Sequence, residues 1–347
     1  MNRKILLLTI MLAPACYCFS QGCVAIRNVA GISPDILFKS IGPDDKTVLN
    51  ISNRYFSASK SYRGDKLFSD TLVENRIYTM NISVLRLLNN GWSVALTLPI
   101  SANSRTNGAD HKGVFSYPKY TTHAFGIGDI RIAVYKWILN PSTSKKGNIQ
   151  AGLGIKLPTG NYGYEDYFVR NDSTRILAPV DQSIQLGDGG TGITAELSAF
   201  YTFGKGFNLY MQGYYLINPR DQNGVSNLKG RQPSPTQIKN STTVMSVPDQ
   251  FTLRGGANFE LNQFDINAGI RYESVPENDL LGGNKGFRRA ATITSVEPGI
   301  TYKMKRVLIY GLVGIPIRRN IVQNSQNDMT PAGFADIVYT LGVQCIL

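Results

Sequence analysis

His111 and His123 are the only imidazoles of the chain, and they are where catalysis would first be sought. A hydrolytic histidine must serve a nucleophile and be oriented by a third group. The spacing sets no serine or acid beside either one, and a metal site needs more ligands at regular intervals. Both read as residues of a polar loop, so no catalytic residue and no metal are expected. Gly187-Asp188-Gly189-Gly190-Thr191-Gly192 matches G-x-G-x-x-G, a pattern that cradles a dinucleotide only between a strand and a helix. A period-two strand follows here, so the segment reads as the flexible mouth of a loop, and no cofactor is expected. Leu157-Pro158-Thr159-Gly160 lacks the extra residue of a sortase signal and reads as a strand end. Of the four cysteines, Cys23 and Cys345 could join the two ends of the mature chain in a disulfide, or remain two thiols.

The richer chemistry lies in an alternation. In GITAELSAFYTFGKGFNLYMQGYYLINP, Gly192 to Pro219, Ile193, Ala195, Leu197, Ala199, Tyr201 and Phe203 share one side, while Thr194, Glu196, Ser198, Phe200 and Thr202 share the other. After Gly204-Lys205-Gly206, Phe207, Leu209, Met211, Tyr215 and Ile217 oppose Asn208, Tyr210, Gln212 and Tyr214. This is period two, a hairpin of strands with one greasy face. The run 193–203 is eleven residues, longer than a common globular strand and long enough to cross a bilayer on a tilt. The same polar phase elsewhere gives a candidate solute-lining set: Asp129, Arg131, Lys156, Glu196, Tyr210, Gln212, Tyr214, Arg254, Glu260, Arg271 and Glu273. Tyr135, Gln150, Thr194, Asn208, Asn258, Asp265, Asn267 and Glu297 accompany them. Charges of both signs turned inward need partners or water. They could brace the wall, line a path for solute, or do both.

Such residues must be held by a repeated element, and the hairpin repeats. Strands are expected at 46–57, 76–88, 91–100, 127–139, 148–158, 193–203, 207–217, 250–261, 264–274, 292–303, 306–316 and 335–347, twelve in all. Five connections are short; 58–75, 101–125, 159–190, 219–249, 275–291 and 317–334 are long, polar and rich in Gly, Asn, Ser and Pro. Short turns at one end and long loops at the other are the pattern of outer-membrane barrels. Pro99, Pro158, Pro219, Pro276 and Pro316 fall where strands meet long loops, as suits a residue that cannot donate to a ladder. Trp92, Trp137, Phe203, Phe207, Phe259, Phe264 and Tyr302 gather near the short turns, as an interfacial aromatic girdle would. In the last strand Tyr339, Leu341, Val343, Cys345 and Leu347 share a side, and this strand must pair with the first to close the wall. Twelve strands give a wall roughly 24 Å across and a bore of about 10 Å after side chains.

The start, MNRKILLLTIMLAPACYCFSQ, has a basic beginning, an apolar stretch and small residues, and reads as a secretory leader cut after Ser20. A cut after Ala15 and lipidation of Cys16 are alternatives, although Ala13 stands where a lipidation signal carries leucine. No other run is long and apolar enough for a spanning helix. The chain carries 36 Lys and Arg against 24 Asp and Glu, a formal +12, and loss of Arg3 and Lys4 leaves +10. Basic loops on an exported protein suit lipopolysaccharide, acidic glycans or anionic solutes, or are simply solvated. No nucleic-acid partner is expected.

Gly126-Ile127-Gly128-Asp129-Ile130, then Gly152-Leu153-Gly154-Ile155-Lys156-Leu157-Pro158-Thr159-Gly160, with Gly187 to Gly192 and the final strand, resemble the family of outer-membrane transporters named for the meta-pathway of phenol degradation. The Cys18-Phe19-Ser20-Gln21 leader end looks like that of exported proteins of Bacteroidetes-type bacteria. The resemblance implies an outer-membrane barrel that passes small, often hydrophobic or aromatic compounds, and it carries over no catalytic residue.

The expectation is therefore an all-β, closed antiparallel transmembrane barrel of about twelve strands. Residues 1–20 are the leader, 21–45 a periplasmic segment or plug, and 46–347 the barrel. The expected work is uptake of a small solute, with outer-membrane lipid, lipopolysaccharide and the barrel-assembly machinery as partners. A surface barrel that binds glycan or lipopolysaccharide through basic loops is the first alternative. An outer-membrane hydrolase using His111 or His123 is the second.

Overall fold

The alternation closes on itself. The computed structural model describes residues 31–347 apart from 43, 70–72, 113–119, 205 and 323–331. Its wall runs β1 (Thr47–Ala58), β2 (Glu74–Leu87), β3 (Trp92–Thr106), β4 in two pieces (Thr121–Ile127 and Arg131–Trp137), β5 (Gly147–Lys156), β6 (Gly192–Gly204), β7 (Phe207–Ile217), β8 (Gln250–Leu261), β9 (Phe264–Val275), β10 (Ala291–Met304), β11 (Val307–Ile321) and β12 (Val338–Ile346). Each strand pairs antiparallel with its sequence neighbour, and β1 pairs with β12 from Val48↔Ile346 to Phe56↔Val338. No edge is left open, so every strand is paired on both sides within the wall, the condition for crossing a hydrocarbon layer. No described helix is long and apolar enough to cross a membrane.

The two faces differ as the period-two reading requires. Outward side chains include Leu96, Leu153, Leu197, Ile266, Ile270 and Leu341, all exposed. An apolar surface this continuous is unfavourable in water and favourable against lipid tails. Inward side chains include Thr194, Asn208, Arg254, Asn258 and Asp265, each at most 1% exposed. At the short-turn end the outward rings form a band. Tyr201, Phe203 and Phe207 follow one another at centroid distances of 4.9 and 5.9 Å, and Phe264 meets Tyr302 at 4.9 Å. The Lys136 ammonium lies over Trp92, 5.1 Å from the ring centroid.

Three expectations need correction. Trp137 is not part of the band. It falls in the inward phase with Arg131 and Ala133, and its ring packs against Phe38 and Phe200 inside the bore. Pro99 and Pro316 do not end strands, because β3 continues to Thr106 and β11 to Ile321. Each sits at an irregularity: Pro99 faces the break between the two pieces of β4, and Ile317 next to Pro316 is skipped in the β10–β11 pairing. A bulge lets a strand pass a residue that cannot donate. Consequently the long connection expected at 101–125 loses both its ends to strand, and the one expected at 317–334 loses 317–321, while β12 begins at Val338 rather than at 335.

Inside the short-turn end lies α1 (Pro34–Ser40), with proline in its first turn and Asp35 behind it, both favourable at a helix start. Asn258 donates to Ser33 Oγ at 2.5 Å and to Asp35 Oδ1 at 2.6 Å, and Arg254 donates to the Gly31 carbonyl at 2.9 Å. Lys39 donates to Asn208 at 2.7 Å and pairs with Glu260. Phe38 fills the gap between Trp137 and Phe200, 4.9 Å from each. The expected leader (residues 1–20), its alternative cut sites and Cys23 lie outside the described residues. Cys345 lies in the outward phase of β12 and is half-buried.

Candidate functional site

Three glycine-bearing segments that look unrelated in sequence meet at one point on the wall. β4 breaks at Gly128-Asp129-Ile130, opposite Pro99. The Gly128 amide donates to the Pro99 carbonyl at 2.9 Å, and the Ile130 amide donates to Thr159 Oγ1 at 2.8 Å. The Thr159 hydroxyl returns a bond to the Gly128 carbonyl at 2.9 Å. The break aims Asp129 inward, where it accepts from the Gly160 amide at 3.0 Å and the Asp188 amide at 3.2 Å. Lys156 reaches both Asp129, at 3.4 Å, and Asp188. Glycine is needed here for close approach. A Cβ on Gly187 would lie 2.5 Å from Asp129 Oδ1 and 2.9 Å from the Gly160 carbonyl oxygen; one on Gly160 would lie 2.9 Å from the Gly187 nitrogen. The G-x-G-x-x-G segment is thus the returning limb of a loop pinned to the wall.

That loop, with 218–249, folds back over the bore and leaves a cavity of about 120 Å3 beneath. Wall residues Thr97, Pro99, Asp129, Arg131, Lys156, Tyr214 and Leu216 form one side; Gln182, Gln185, Leu186, Asp188, Asn223, Met245, Ser246 and Pro248 form the roof. The roof shares a core with the wall, since Val180, Ile184 and Leu186 pack with Phe56, Ile77, Ala124, Ala335 and Val338 of the wall and its rim.

Above the cavity the loops are tied by charge. Asp181 meets Lys229 at 2.8 Å, Arg289 at 2.9 Å and Arg105 at 3.7 Å, and Asp110 meets Arg105 at 2.7 Å and Lys229 at 2.8 Å. Burial alone would raise the Asp110 carboxyl, but Arg105 and Lys229 outweigh it and hold it below the usual carboxylate range. His111 is buried beside this cluster, accepts the Val169 amide on Nδ1 at 3.0 Å, and lies 5.2 Å from the rings of both Tyr120 and Phe168. Burial, aided by Arg170 and Arg231 and opposed by Asp110, lowers its pKa to about 4. Its ring anchors a loop and has no free Nδ1 for general-base work. His123 is exposed, 3.7 Å from Asp166. Among the described residues no cluster of histidine, cysteine and carboxylate suits a metal.

The inward set divides into three groups. Asp129, Arg131, Lys156 and Tyr214 line the cavity. Glu196 stands behind Arg131, paired with it and accepting from Tyr135 at 3.0 Å, while Arg131 donates to the Tyr135 hydroxyl at 3.2 Å. Arg254, Arg271, Glu273 and Gln212 belong to a buried ladder along the wall. In it Arg254 pairs with Glu297, Glu297 with Arg271 at 3.1 Å, Arg271 with Glu273 at 3.2 Å, and Glu273 with Arg54 at 3.7 Å. Gln212 accepts from Arg254 at 3.0 Å, and the Arg254 guanidinium lies over the Tyr210 ring, 5.3 Å from its centroid. Glu260 serves α1 through Lys39. The polar phase does not reveal Arg289, Gln182, Gln185, Leu186, Met245 or Ser246, because they sit in loops. The available signal was the apolar Val180, Ile184, Leu186, Met245 and Val247 within otherwise polar connections.

No protein-family model and no curated protein matches this chain. Among solved structures it is similar to an outer-membrane channel from Pseudomonas putida F1, with a TM-score of 0.59 and 12% identity over 88% of this chain and 97% of that one. That likeness is one of fold, and it agrees with the closed twelve-strand wall. The toluene transporter of Ralstonia pickettii, at TM-score 0.41 and 10% identity over 91% of this chain and 92% of that one, overlaps too loosely to carry an argument.

Proposed function

We propose that this chain is an outer-membrane channel or facilitator that admits a small solute. The observation that carries the reading is the cavity of about 120 Å3 held inside a lipid-compatible barrel and walled in part by folded-back loops rather than strands. A path can open there by moving loops, without breaking the sheet. Inward residues Arg131, Lys156 and Tyr214 then meet the solute, while the Arg254–Glu297–Arg271–Glu273 ladder braces the wall. On this reading residues 1–20 are an export leader, the long loops lie outside the cell, and α1, from the segment ahead of the barrel, plugs the bore from the periplasm. Lipopolysaccharide and the barrel-assembly machinery are its expected partners, and a place in the meta-pathway transporter family fits the glycine motifs. The filled bore favours one rival, a closed surface barrel that binds glycan or lipopolysaccharide through its basic loops. Planar-bilayer conductance of the refolded protein separates the two. Current from the intact barrel supports the channel; silence from it, and again after trimming 219–249, supports the surface barrel.

A further inference from the structure

The cavity beneath the roof is small and chemically lopsided. Its volume of about 120 Å3 is on the scale of the roughly 150 Å3 apolar cavity that admits one benzene ring. One side is apolar: Pro99, Leu186, Leu216, Met245, Pro248 and Val275. The other carries Arg131, Lys156 and Arg289 with Asp129 and Asp188, while Glu196 and Asp181 pair with Arg131 and Arg289.

The two carboxylates are already occupied. Asp129 accepts from the Gly160 and Asp188 amides and meets Lys156, and Asp188 Oδ1 accepts from the Gly190 amide at 2.9 Å and from Lys156. The spare capacity is on donors. Arg131 Nε and Ser246 Oγ, each on a buried cavity-lining residue, have no hydrogen-bond partner. A buried donor without an acceptor is unfavourable, and a solute oxygen relieves it. A guanidinium favours an ionised oxygen over a neutral one.

We propose that the cavity binds a carboxylate carried on a compact apolar body about the size of one ring. The carboxylate faces Arg131 on the wall and Ser246 in the roof, and the body lies against Leu186, Leu216 and Met245. The proposal rests on the solute-channel reading and names the class of solute.

Benzoate is the probe, with benzamide as its neutral counterpart and acetate as the anion without a body. Titration calorimetry on the detergent-solubilised barrel is expected to give benzoate at least tenfold tighter than either. Ser246→Ala should weaken benzoate several-fold and leave benzamide unchanged, and Leu186→Trp, which fills the cavity, should abolish binding. Because Arg131→Gln alone strands Glu196, the paired Arg131→Gln, Glu196→Gln variant is used, and it should erase the preference for benzoate over benzamide. Equal binding of benzoate and benzamide, or benzoate binding indifferent to Ser246→Ala and Leu186→Trp, overturns the proposal. Conductance in planar bilayers keeps the two readings apart. Current that benzoate does not alter leaves the channel and removes the site. Benzoate binding by a barrel that carries no current leaves the site and removes the channel.

Discussion

The two ends of the bore are closed by different means. At the long-loop end the closure is made of loops that run on from wall strands, seated by amide-to-carboxylate bonds on Asp129, by close-packed glycines and by a buried charge cluster around Asp181. At the short-turn end it is made of α1, a separate segment held by side-chain bonds from Asn258, Arg254 and Lys39 and by one phenylalanine. The first closure is continuous with the wall and shares its core. The second touches the wall through contacts that could be exchanged for water one at a time. On the proposed channel function, the loop roof sets selectivity and α1 sets whether the path is open at all.

The largest expected effect tests where α1 and the wall share a residue. Arg254 both donates to Gly31 and neutralises Glu297. Arg254→Ala should release α1 and also strip one of the two guanidiniums from the buried Glu297, leaving it Arg271 alone, a cost of about 1.5–3 kcal/mol. Thermal unfolding followed by gel mobility of unheated samples reads it, and an unchanged midpoint would remove the ladder from the account. Next comes the roof. Gly187→Ala forces a Cβ against Asp129 and Gly160 and should cost about 1–3 kcal/mol, with raised conductance. Gly311→Ala, where nothing stands within 4 Å, is the control. Equal behaviour of the two variants would mean that the roof is not seated by close approach.

A smaller effect is expected from Lys39→Ala, which removes only the partly exposed pair with Glu260 and the bond to Asn208. An exposed pair is worth about 0–1 kcal/mol, so α1 should loosen without harm to the barrel. Hydrogen exchange confined to residues 34–40 would show it. The last effect is pH-dependent and belongs to the roof alone. The folded pKa of His111, about 4, lies below its unfolded value near 6.5, so docking favours the neutral ring. That contribution is complete above pH 6.5 and fades as pH falls toward 4. Exchange at the Val169 amide should rise over that window while α1 stays unchanged. A rise at both ends would refute independent closures.

The same contrast governs what could be read from the sequence. The wall was legible because each strand repeats one local rule, and Leu197, Leu209 and Leu341 obey it. Trp137 was misplaced by appeal to its type rather than its phase, which it shares with Arg131. Pro99 and Pro316 were read as ends because a missing donor is visible in sequence, whereas the bulges beside them are not. The roof was illegible for a different reason. Asp181 draws on Arg105, Lys229 and Arg289, partners far away in the chain that no periodicity links. The glycine segments were noticed, but their meeting at Asp129 depends on the break in β4.

The seam between β1 and β12 sets a condition on biogenesis. Val48 faces Ile346 there, so the first wall strand must wait, with one ladder side unsatisfied, until nearly the whole polypeptide has been delivered. Contacts between such distant residues form late and slowly, and a chain shortened by its final nine-residue strand, Val338–Ile346, would expose two raw margins instead of none. Closure of the wall therefore comes down to one pairing, that of β12 with β1.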